Sequence, residues 1–321
     1  MVLEEGDEPM SERILVTGGT GFLGSAVARC VDSDDDYIFC GQKDADLTDL
    51  GATRALLSHA NPDKIIHLAG VSGGILSNQK YPAMYYSKNI ALVNNIFEAA
   101  VGTKVQSVLI PIGGCGYPLS QPSPLREEFF FDGLPHEASR GYSMAKKMAV
   151  IASEAYSSQY RIASTVVIPG NMYGPNDNFS LEHSHVIAAL VRKFSEGASK
   201  QARQITLWGD GSAIRDFVFV DDVARIILQL DRSSAEIESP LNISSGIPTS
   251  IADLANLVAE LCGFEGDIFW DTSMPGGQPL KVFSIERLSA AGFSCPTALE
   301  EGLTETIRWF KWACREGVAR L

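Results

Sequence analysis

The chain has 321 residues, 45% of them hydrophobic, and a formal net charge of −13 at pH 7. This length is enough for one large or two modest globular domains, and the acidic balance argues against binding to nucleic acids or anionic membranes. No apolar stretch is long enough to span a bilayer, and the acidic, polar residues 1–12 are unlike a signal peptide. We expect a cytoplasmic protein with a disordered extension over residues 1–12.

The first half of the chain alternates short apolar runs with helical patterns. The predicted strands are residues 14–16, 37–40, 64–69, 107–110 and 163–168, and the predicted helices begin at 24 and cover 90–101 and 142–156. Strands that alternate with helices predict an α/β fold with a Rossmann-type, doubly wound parallel sheet.

Beyond about Gly174 the pattern is less regular, with short strands and helices interrupted by Pro, Gly and aromatic residues. This pattern is typical of a smaller α/β domain that folds over the carboxyl edge of the sheet. Residues 216–230 resemble a return to the first domain. We therefore predict an NAD(P)-binding Rossmann domain over 13–175, with a return segment at about 216–245, and a nucleotide-sugar-binding domain over 176–321.

A glycine-rich turn follows the first strand and opens the first helix. Because Gly18, Gly21 and Gly24 lack a Cβ, they permit a tight turn, close approach of the backbone to a pyrophosphate, and close packing of helix on strand. A merely structural turn is the alternative. The residues that we expect to contact the cofactor here are Gly18, Thr20, Gly21, Phe22, Leu23 and Gly24.

The end of the second strand bears on the choice between NAD and NADP. An acid there would bind the adenosine ribose 2′-hydroxyl, but Cys40 is followed by Gly41, Gln42 and Lys43. Lys43 could meet a 2′-phosphate or could be a solvated surface charge, so NADP(H) is favoured and NAD(H) remains possible. Asp46 and Leu47 are placed to reach the adenine.

Tyr142 and Lys146 lie four residues apart, on one face of the predicted helix. The ammonium can depress the pKa of the phenol, so that the tyrosine can pass a proton near neutral pH. This spacing alone is common on exposed helix faces. After a dinucleotide turn, in this order, it is typical of a short-chain dehydrogenase/reductase, in which both residues also contact the cofactor.

Over nearly its whole length the chain resembles the GDP-L-fucose synthases, which are the GDP-4-keto-6-deoxy-mannose 3,5-epimerase/4-reductases of the extended short-chain dehydrogenase/reductase family. The resemblance implies a nicotinamide cofactor bound by the N-terminal domain and a GDP-sugar substrate held mainly by the C-terminal one. The matching segments are residues 43–49, 71–75, Cys115-Gly116-Tyr117-Pro118, 142–146, 169–175, 177–179, Ser184-His185-Val186 and Trp208-Gly209-Asp210-Gly211.

The family chemistry implies roles for Cys115 and His185. A ketone at C4 acidifies the protons on C3 and C5, and resemblance places Cys115 as the base that removes such a proton and His185 as the acid that returns it on the other face. Taken alone, a cysteine after a strand is usually a small buried hydrophobe and a lone histidine is usually structural. His183 is expected to be a loop residue.

For reduction at C4, the resemblance implies that Tyr142 protonates the developing alkoxide and that Lys146 holds the nicotinamide ribose. It also maps cations for the nucleotide diphosphate, although Lys193 and Lys281 are equally consistent with surface charges. The substrate-binding candidates are Asn171, Arg192 or Lys193, Trp208, Arg215 and Lys281.

One position departs from the family pattern. Reductases of this class carry a Ser or Thr where this chain has Gly113, and the neighbouring Gly114 cannot supply a hydroxyl either. Loss of one oxyanion donor typically costs on the order of a hundred- to a thousand-fold in rate. The alternatives are therefore a weakened reductase, an epimerase without efficient reduction, or an enzyme for a related nucleotide sugar. A non-catalytic nucleotide-binding protein is disfavoured, because the four catalytic candidates remain.

The six cysteines show no metal-ligand spacing, so we expect reduced thiols and no metal site. The resemblance also implies a homodimer joined by the helix of Tyr142 and the helix at 90–101. Apolar side chains that could serve that contact, or could face their own core, are Leu92, Phe97, Met148 and Ile151.

Overall fold

The computed structural model describes residues 12–32, 36–181, 184–233, 237–273 and 278–321. Its strands are β1 (Arg13–Thr17), β2 (Asp36–Cys40), β3 (Lys64–His67), β4 (Ser107–Pro111), β5 (Ala163–Pro169), β6 (Asn171–Tyr173), β7 (Gln204–Trp208), β8 (Ile214–Arg215), β9 (Phe217–Phe219), β10 (Leu241–Ile243), β11 (Thr249–Ser250), β12 (Asp267–Asp271) and β13 (Leu280–Lys281). Its helices are α1 (Phe22–Cys30), α2 (Leu50–Ala60), α3 (Ile75–Lys80), α4 (Pro82–Ala100), α5 (Arg140–Tyr160), α6 (Val186–Ser199), α7 (Val220–Arg232), α8 (Ile251–Cys262), α9 (Glu286–Ala290) and α10 (Leu299–Glu316).

A six-stranded sheet forms the centre of the molecule, in the order β10-β5-β4-β3-β1-β2. All its strand pairs are parallel. The chain runs from β1 outward to β2 and then crosses back to β3 on the other side of β1. The carboxyl ends of β1 and β3 therefore border the crevice where doubly wound sheets bind ligands. The predicted Rossmann-type α/β fold is confirmed.

Both faces of the central sheet are buried, and successive residues of each strand serve opposite faces. Leu15 and Ile65 belong to a cluster with residues of α2, α4 and α5. Val16 and Ile66, one position further along, belong to a second cluster with α1 and α7. This double burial explains why these strands are continuous apolar runs in the sequence.

The C-terminal half has its own core among α6, α8 and α10. Its small sheets are β7 with β12, and β8 between β11 and β13. Between these elements the chain goes back to the central sheet, because α7 packs against α1 and β10 pairs with β5. The bounds of the two domains stay a prediction, and residues 1–11 of the predicted extension lie outside the described residues.

None of the helices in the described ranges is long and apolar enough to cross a membrane. The same ranges contain no cluster of three or more His, Cys, Asp or Glu side chains that could hold a metal ion. All six cysteines are free thiols.

Candidate active site

The glycine-rich turn joins β1 to α1 at the edge of the crevice. Gly18 has φ +68°, in the left-handed region, and a Cβ there would lie 2.7 Å from the backbone nitrogen of Ala69, just after β3. A Cβ at Gly24 would overlap the carbonyl oxygen of Gly18. Only glycine fits these positions, so the backbone of the turn forms a cradle open to a phosphate at the N-terminus of α1.

The end of β2 adjoins this turn. The Gly19 N–H donates to the carbonyl oxygen of Cys40 over 2.8 Å. Asp44 turns back, and its carboxylate accepts the Gly41 N–H at 2.7 Å. Lys43 is exposed beside it. The predicted cation therefore lies on the surface, at the edge that follows the second strand.

The predicted adenine contacts follow within the next turn. The carboxylate of Asp46 accepts hydrogen bonds from the backbone and the hydroxyl of Thr48, which lower the pKa of Asp46. Leu47 is buried, and its carbonyl oxygen accepts a hydrogen bond from Asn95 at 2.9 Å. Asp46 stays exposed, whereas Leu47 is part of the core at this edge.

Tyr142 and Lys146 lie on the same face of α5, as the spacing predicts. The Lys146 ammonium is 5.7 Å from the centroid of the Tyr142 ring, and burial lowers the pKa of Lys146 to about 8. The pKa of Tyr142 is raised, first by burial and then by the neighbouring Cys115 and Tyr85. The expectation that the pKa of Tyr142 is depressed is therefore wrong, because burial and these two neighbours raise it. Tyr142 holds its proton.

The Lys146 amine reaches the loop after β3. A Cβ at Gly70 would be 3.2 Å from Lys146 Nζ and 3.7 Å from Asn89 Oδ1. Asn89 holds this loop through both backbone groups of Val71, since Oδ1 accepts the N–H at 3.2 Å and Nδ2 donates to the carbonyl at 2.9 Å. The loop thus keeps the amine at the mouth of the crevice.

Cys115 lies in a short 3-10 turn, Gly114–Gly116, that follows β4. A Cβ at Gly113 would be 3.0 Å from the Cys115 sulfur and 3.4 Å from the Tyr142 hydroxyl oxygen. The structure therefore brings the predicted base and the predicted reductase tyrosine together around Gly113. A Cβ at Gly114 would instead overlap the ring of Phe283, so that position requires glycine.

His185 lies in the other half of the chain, at the N-cap of α6. His185 is exposed as a whole residue, but desolvation by the surrounding protein lowers its pKa, and the charge of Lys281 lowers that pKa further. Burial also lowers the pKa of Lys281, whereas Cys115 raises it. Lys281 is thus close enough to act electrostatically on both Cys115 and His185. His183 lies outside the described residues.

Two further substrate candidates lie beside Lys281. Arg215 on β8 is the register partner of Lys281 on β13, and burial lowers the pKa of Arg215. Arg215 Nη1 donates to the carbonyl oxygen of Ile214 at 2.7 Å. Asn171 donates to the carbonyl oxygen of Asp216, also at 2.7 Å. Asn171, Arg215 and Lys281 are therefore connected through residues 215–216, at the end of β8.

The structure separates the two alternatives on α6. Arg192 is engaged within the protein, with Nε 2.8 Å from a carboxylate oxygen of Glu196 and Nη1 3.0 Å from the carbonyl oxygen of Phe179. Lys193 reaches β7, where Nζ donates to the Thr206 carbonyl at 3.2 Å. Trp208, 53% exposed, ends that strand. Of the two cations, Lys193 is therefore the one that contacts β7, the strand that ends at Trp208.

Two side chains next to the site were not among the sequence candidates. The ring of Tyr85 meets that of Tyr142 edge-on, with centroids 6.2 Å apart, and its hydroxyl is 2.8 Å from Ser77 Oγ. Asp216 is fully buried beside Lys281, and burial raises its pKa to about 6. Nothing in the sequence distinguishes Tyr85 from any other helical tyrosine, whereas Asp216 directly follows the candidate Arg215.

The chain is similar in sequence and in fold to known proteins. The model of the NAD dependent epimerase/dehydratase family matches residues 14–244. The GDP-L-fucose synthase of Sinorhizobium fredii (strain NBRC 101917 / NGR234) is 35% identical over 93% of this chain and 95% of its own length. GDP-L-fucose synthase 1 of Arabidopsis thaliana is 33% identical over 94% and 93%. The crystal structure of a GDP-L-fucose synthetase from Naegleria fowleri bound to NADP superimposes with a TM-score of 0.89 at 27% identity, over 98% of this chain and 99% of that one.

Proposed function

Since the chain belongs to the NAD dependent epimerase/dehydratase family, on its GDP-L-fucose synthase branch, we propose that this NAD(P)-dependent enzyme is a GDP-sugar epimerase/reductase. Its substrate is a 4-keto sugar like GDP-4-keto-6-deoxy-mannose. The observation that carries the proposal is the meeting of Cys115 and Tyr142 at Gly113, with Lys281 acting on both Cys115 and His185. These contacts support a single cleft for epimerisation and for reduction.

The cofactor is NADP(H), with NAD(H) as the alternative. The turn is a cradle that a Cβ at Gly18 or Gly24 would fill, which fits a pyrophosphate. Lys43 lies exposed at the edge where an adenosine 2′-phosphate would be met, and the similar Naegleria fowleri protein is bound to NADP. Lys146 holds the nicotinamide ribose. When bound, the cofactor supplies the hydride that reduces the C4 carbonyl.

Epimerisation precedes reduction, because it needs the C4 ketone. Cys115 removes a proton from a carbon next to the ketone, which leaves an enolate, and His185 gives a proton to the opposite face of that carbon. The base must be a thiolate, and Lys281 provides a positive charge beside it. The lowered pKa of His185 makes its protonated ring a stronger acid than an ordinary imidazolium.

Tyr142 then acts at C4. Burial keeps its hydroxyl protonated, so it can give a proton to the carbonyl oxygen as that oxygen becomes an alkoxide. Lys146 Nζ lies 5.7 Å from the centroid of the Tyr142 ring, where its positive charge favours the negative charge that builds up on the phenolate. Gly113 contributes no hydroxyl to this step.

The GDP group is held by the cations on the C-terminal side of the cleft. Arg215 and Lys281 are paired in register on β8 and β13, and Lys193 donates a hydrogen bond to β7, the strand that ends at Trp208. Arg192 is the second choice on α6, because Glu196 and Phe179 already occupy its guanidinium. Asn171 adds an amide close to Arg215. Arg and Lys are natural ligands of a diphosphate.

The enzyme is a homodimer joined through α4 and α5. These two helices pack on one another, and Ile151 on α5 is 44% exposed. Leu92 and Phe97 of α4 are buried in their own core, so they do not serve the contact. Met148 is half-buried.

The test is an assay of NADPH oxidation by the purified protein with GDP-4-keto-6-deoxy-mannose, with Tyr142→Phe as the matched variant. The parent should oxidise NADPH, and Tyr142→Phe should lose roughly a hundredfold or more in rate, because it lacks the proton donor. If several nucleotide 4-keto sugars give neither NADPH oxidation nor an isomerised product, the enzyme proposal is wrong.

A second candidate function is epimerisation without efficient reduction. The observation that favours it is Gly113, which leaves C4 chemistry without the usual hydroxyl donor. If this second function is correct, the same assay yields an isomerised sugar and no NADPH is oxidised.

A further inference from the structure

Arg320, the second residue from the C-terminal end, contacts the glycine-rich turn. Its Nη2 atom donates a hydrogen bond of 2.8 Å to the carbonyl oxygen of Thr20, which is 300 positions away in the sequence. Thr20 stands in the middle of the turn, immediately before Gly21. A cation from the end of the chain therefore lies at the cradle described above.

The position of Arg320 is fixed by its own backbone. Its carbonyl oxygen accepts the Phe179 N–H at 2.8 Å, and it forms a parallel bridge with Asn178. From the same segment, Asn176 donates to the hydroxyl of Ser25 in α1 over 2.5 Å. The segment around residues 176–179 thus holds the C-terminal residues against the turn and also contacts α1 itself.

Most of the guanidinium is available for a ligand. It carries five N–H donors, and within the described ranges its hydrogen-bond acceptor is the Thr20 carbonyl. Its side chain is exposed. The carboxylate of Asp177 accepts the Asn178 N–H; burial raises the pKa of Asp177 to about 7, and the charge of Arg320 lowers that pKa in part without a hydrogen bond between the two side chains. A planar guanidinium with free donors is suited to a phosphate group.

Thr20 also connects this contact to the end of β2. A Cβ at Gly41 would be 2.5 Å from the Thr20 hydroxyl oxygen, so the Thr20 side chain lies directly against the backbone after β2. Arg320 consequently stands beside the loop that separates the pyrophosphate cradle from the adenosine side of the crevice.

We propose that Arg320 binds a phosphate group of the dinucleotide cofactor, so that the C-terminal residues complete the site that the glycine-rich turn begins. This rests on the proposed function, because it takes the turn as the cofactor site. The phosphate is either the pyrophosphate or the 2′-phosphate of NADP(H). Both carry the negative charge that an exposed guanidinium recognises, and NADH, which lacks the 2′-phosphate, distinguishes them.

The test is a fluorescence titration of NADPH and NADH into the parent, Arg320→Gln and Arg320→Lys, with Arg315→Gln as the control. Arg315 is an exposed arginine near the end of α10, outside the turn. Glutamine at 320 can still donate to the Thr20 carbonyl but carries no charge. We expect Arg320→Gln to raise the Kd of NADPH by roughly tenfold or more, Arg320→Lys to raise it less, and Arg315→Gln to leave it unchanged.

The two phosphates give different results with NADH. If Arg320 binds the 2′-phosphate, the Kd of NADH stays the same in Arg320→Gln; if it binds the pyrophosphate, both dinucleotides weaken together. If Arg320→Gln binds both NADPH and NADH with the Kd of the parent, the inference is overturned and the proposed function stays intact. A fall in melting temperature in that case would show that Arg320 only stabilises the C-terminal residues against the turn. A parent that binds neither dinucleotide would contradict the proposed function itself.

Discussion

The sulfur of Cys115 and the hydroxyl oxygen of Tyr142 meet at Gly113, where a Cβ would be 3.0 Å from the former and 3.4 Å from the latter. The backbone does not demand glycine at this position, because φ −84° and ψ 139° are open to any residue. A side chain at 113 would therefore enter the space between the two reactive atoms. This relationship makes Gly113 the most informative position to change.

Gly113→Ser should raise the rate of C4 reduction, although its Cβ, 3.0 Å from the Cys115 sulfur, requires a small shift of that side chain. Its hydroxyl would stand beside the Tyr142 hydroxyl and could donate to the developing alkoxide, which is worth up to about 2.7–4 kcal/mol, or roughly a hundred- to a thousandfold in rate. The measurement is the rate of NADPH oxidation with saturating 4-keto sugar, together with melting temperature and cofactor affinity.

Gly114→Ser is the matched control for that variant. Its Cβ would overlap the ring of Phe283, so it should lower the melting temperature and bring no gain in reduction. If Gly113→Ser slows reduction while its melting temperature is unchanged, the added side chain occupies space that the true substrate needs. That result would favour a bulkier sugar than a 6-deoxyhexose.

Cys115→Ser should abolish exchange of the sugar protons with solvent and leave cofactor affinity unchanged. A serine hydroxyl is far too weak a base for this proton, and Cys115 would contact only the sugar. The measurement is deuterium uptake by the 4-keto substrate in deuterated water. Exchange at the parent rate would show that another group is the base.

His185→Asn should allow proton removal but impair inversion, because only the proton donor on the opposite face is lost. We expect partial deuterium exchange with a strongly reduced yield of the inverted sugar, read by NMR of the product. Full inversion at the parent rate would remove His185 from the mechanism.

Asp216→Asn should stabilise the protein at pH 8 and make no difference near pH 4. Burial raises the folded-state pKa of Asp216 to about 6, above its unfolded value near 4, so the folded chain keeps a proton that the unfolded chain loses between these pH values. The parent therefore loses stability as pH rises through this window, by up to roughly 3 kcal/mol.

An asparagine oxygen can still accept the Phe283 N–H that Asp216 accepts at 3.0 Å, so the substitution removes the charge and keeps the contact. Melting temperatures of both proteins from pH 4 to pH 8 provide the test. A variant less stable than the parent at pH 8 would show that the Asp216 charge is needed opposite Lys281.

Ile151→Asp should convert the proposed dimer to a monomer at micromolar concentration. A carboxylate at this exposed position of α5 would be buried without a partner if α5 joins two subunits. Light scattering gives the mass, and Val318→Asp, at an exposed site after α10, is the control. A monomeric parent would contradict the dimer.

The sequence predicted the central sheet well, for a physical reason. Strands β1, β3 and β4 are largely buried on both faces and therefore read as apolar runs, and the glycine turn and the Tyr142–Lys146 spacing are local patterns. Strands of two or three residues, such as β10 and β13, carry no such pattern, because their neighbours decide their pairing.

Parts of the site that depend on tertiary packing could not be predicted. Spacing placed Tyr142 beside Lys146, but it gave no measure of burial, so the expected direction of the Tyr142 pKa was wrong. From the sequence, either Arg192 or Lys193 could be the cation on α6 that binds the diphosphate. Lys193 is favoured only because Glu196 and Phe179 already accept hydrogen bonds from Arg192 in the structure. The contact of Phe283 at Gly114 joins residues that no local pattern connects.

The proposed reaction is tested in one experiment, in which the parent reacts with GDP-4-keto-6-deoxy-mannose and NADPH in deuterated water and the sugar is then analysed by NMR. We expect deuterium from solvent at C3, C5 or both, with inversion there, and hydrogen from NADPH at C4. A product reduced at C4 with no deuterium at either neighbouring carbon would contradict the central claim that Cys115 and His185 share the cleft of Tyr142 as an epimerisation pair.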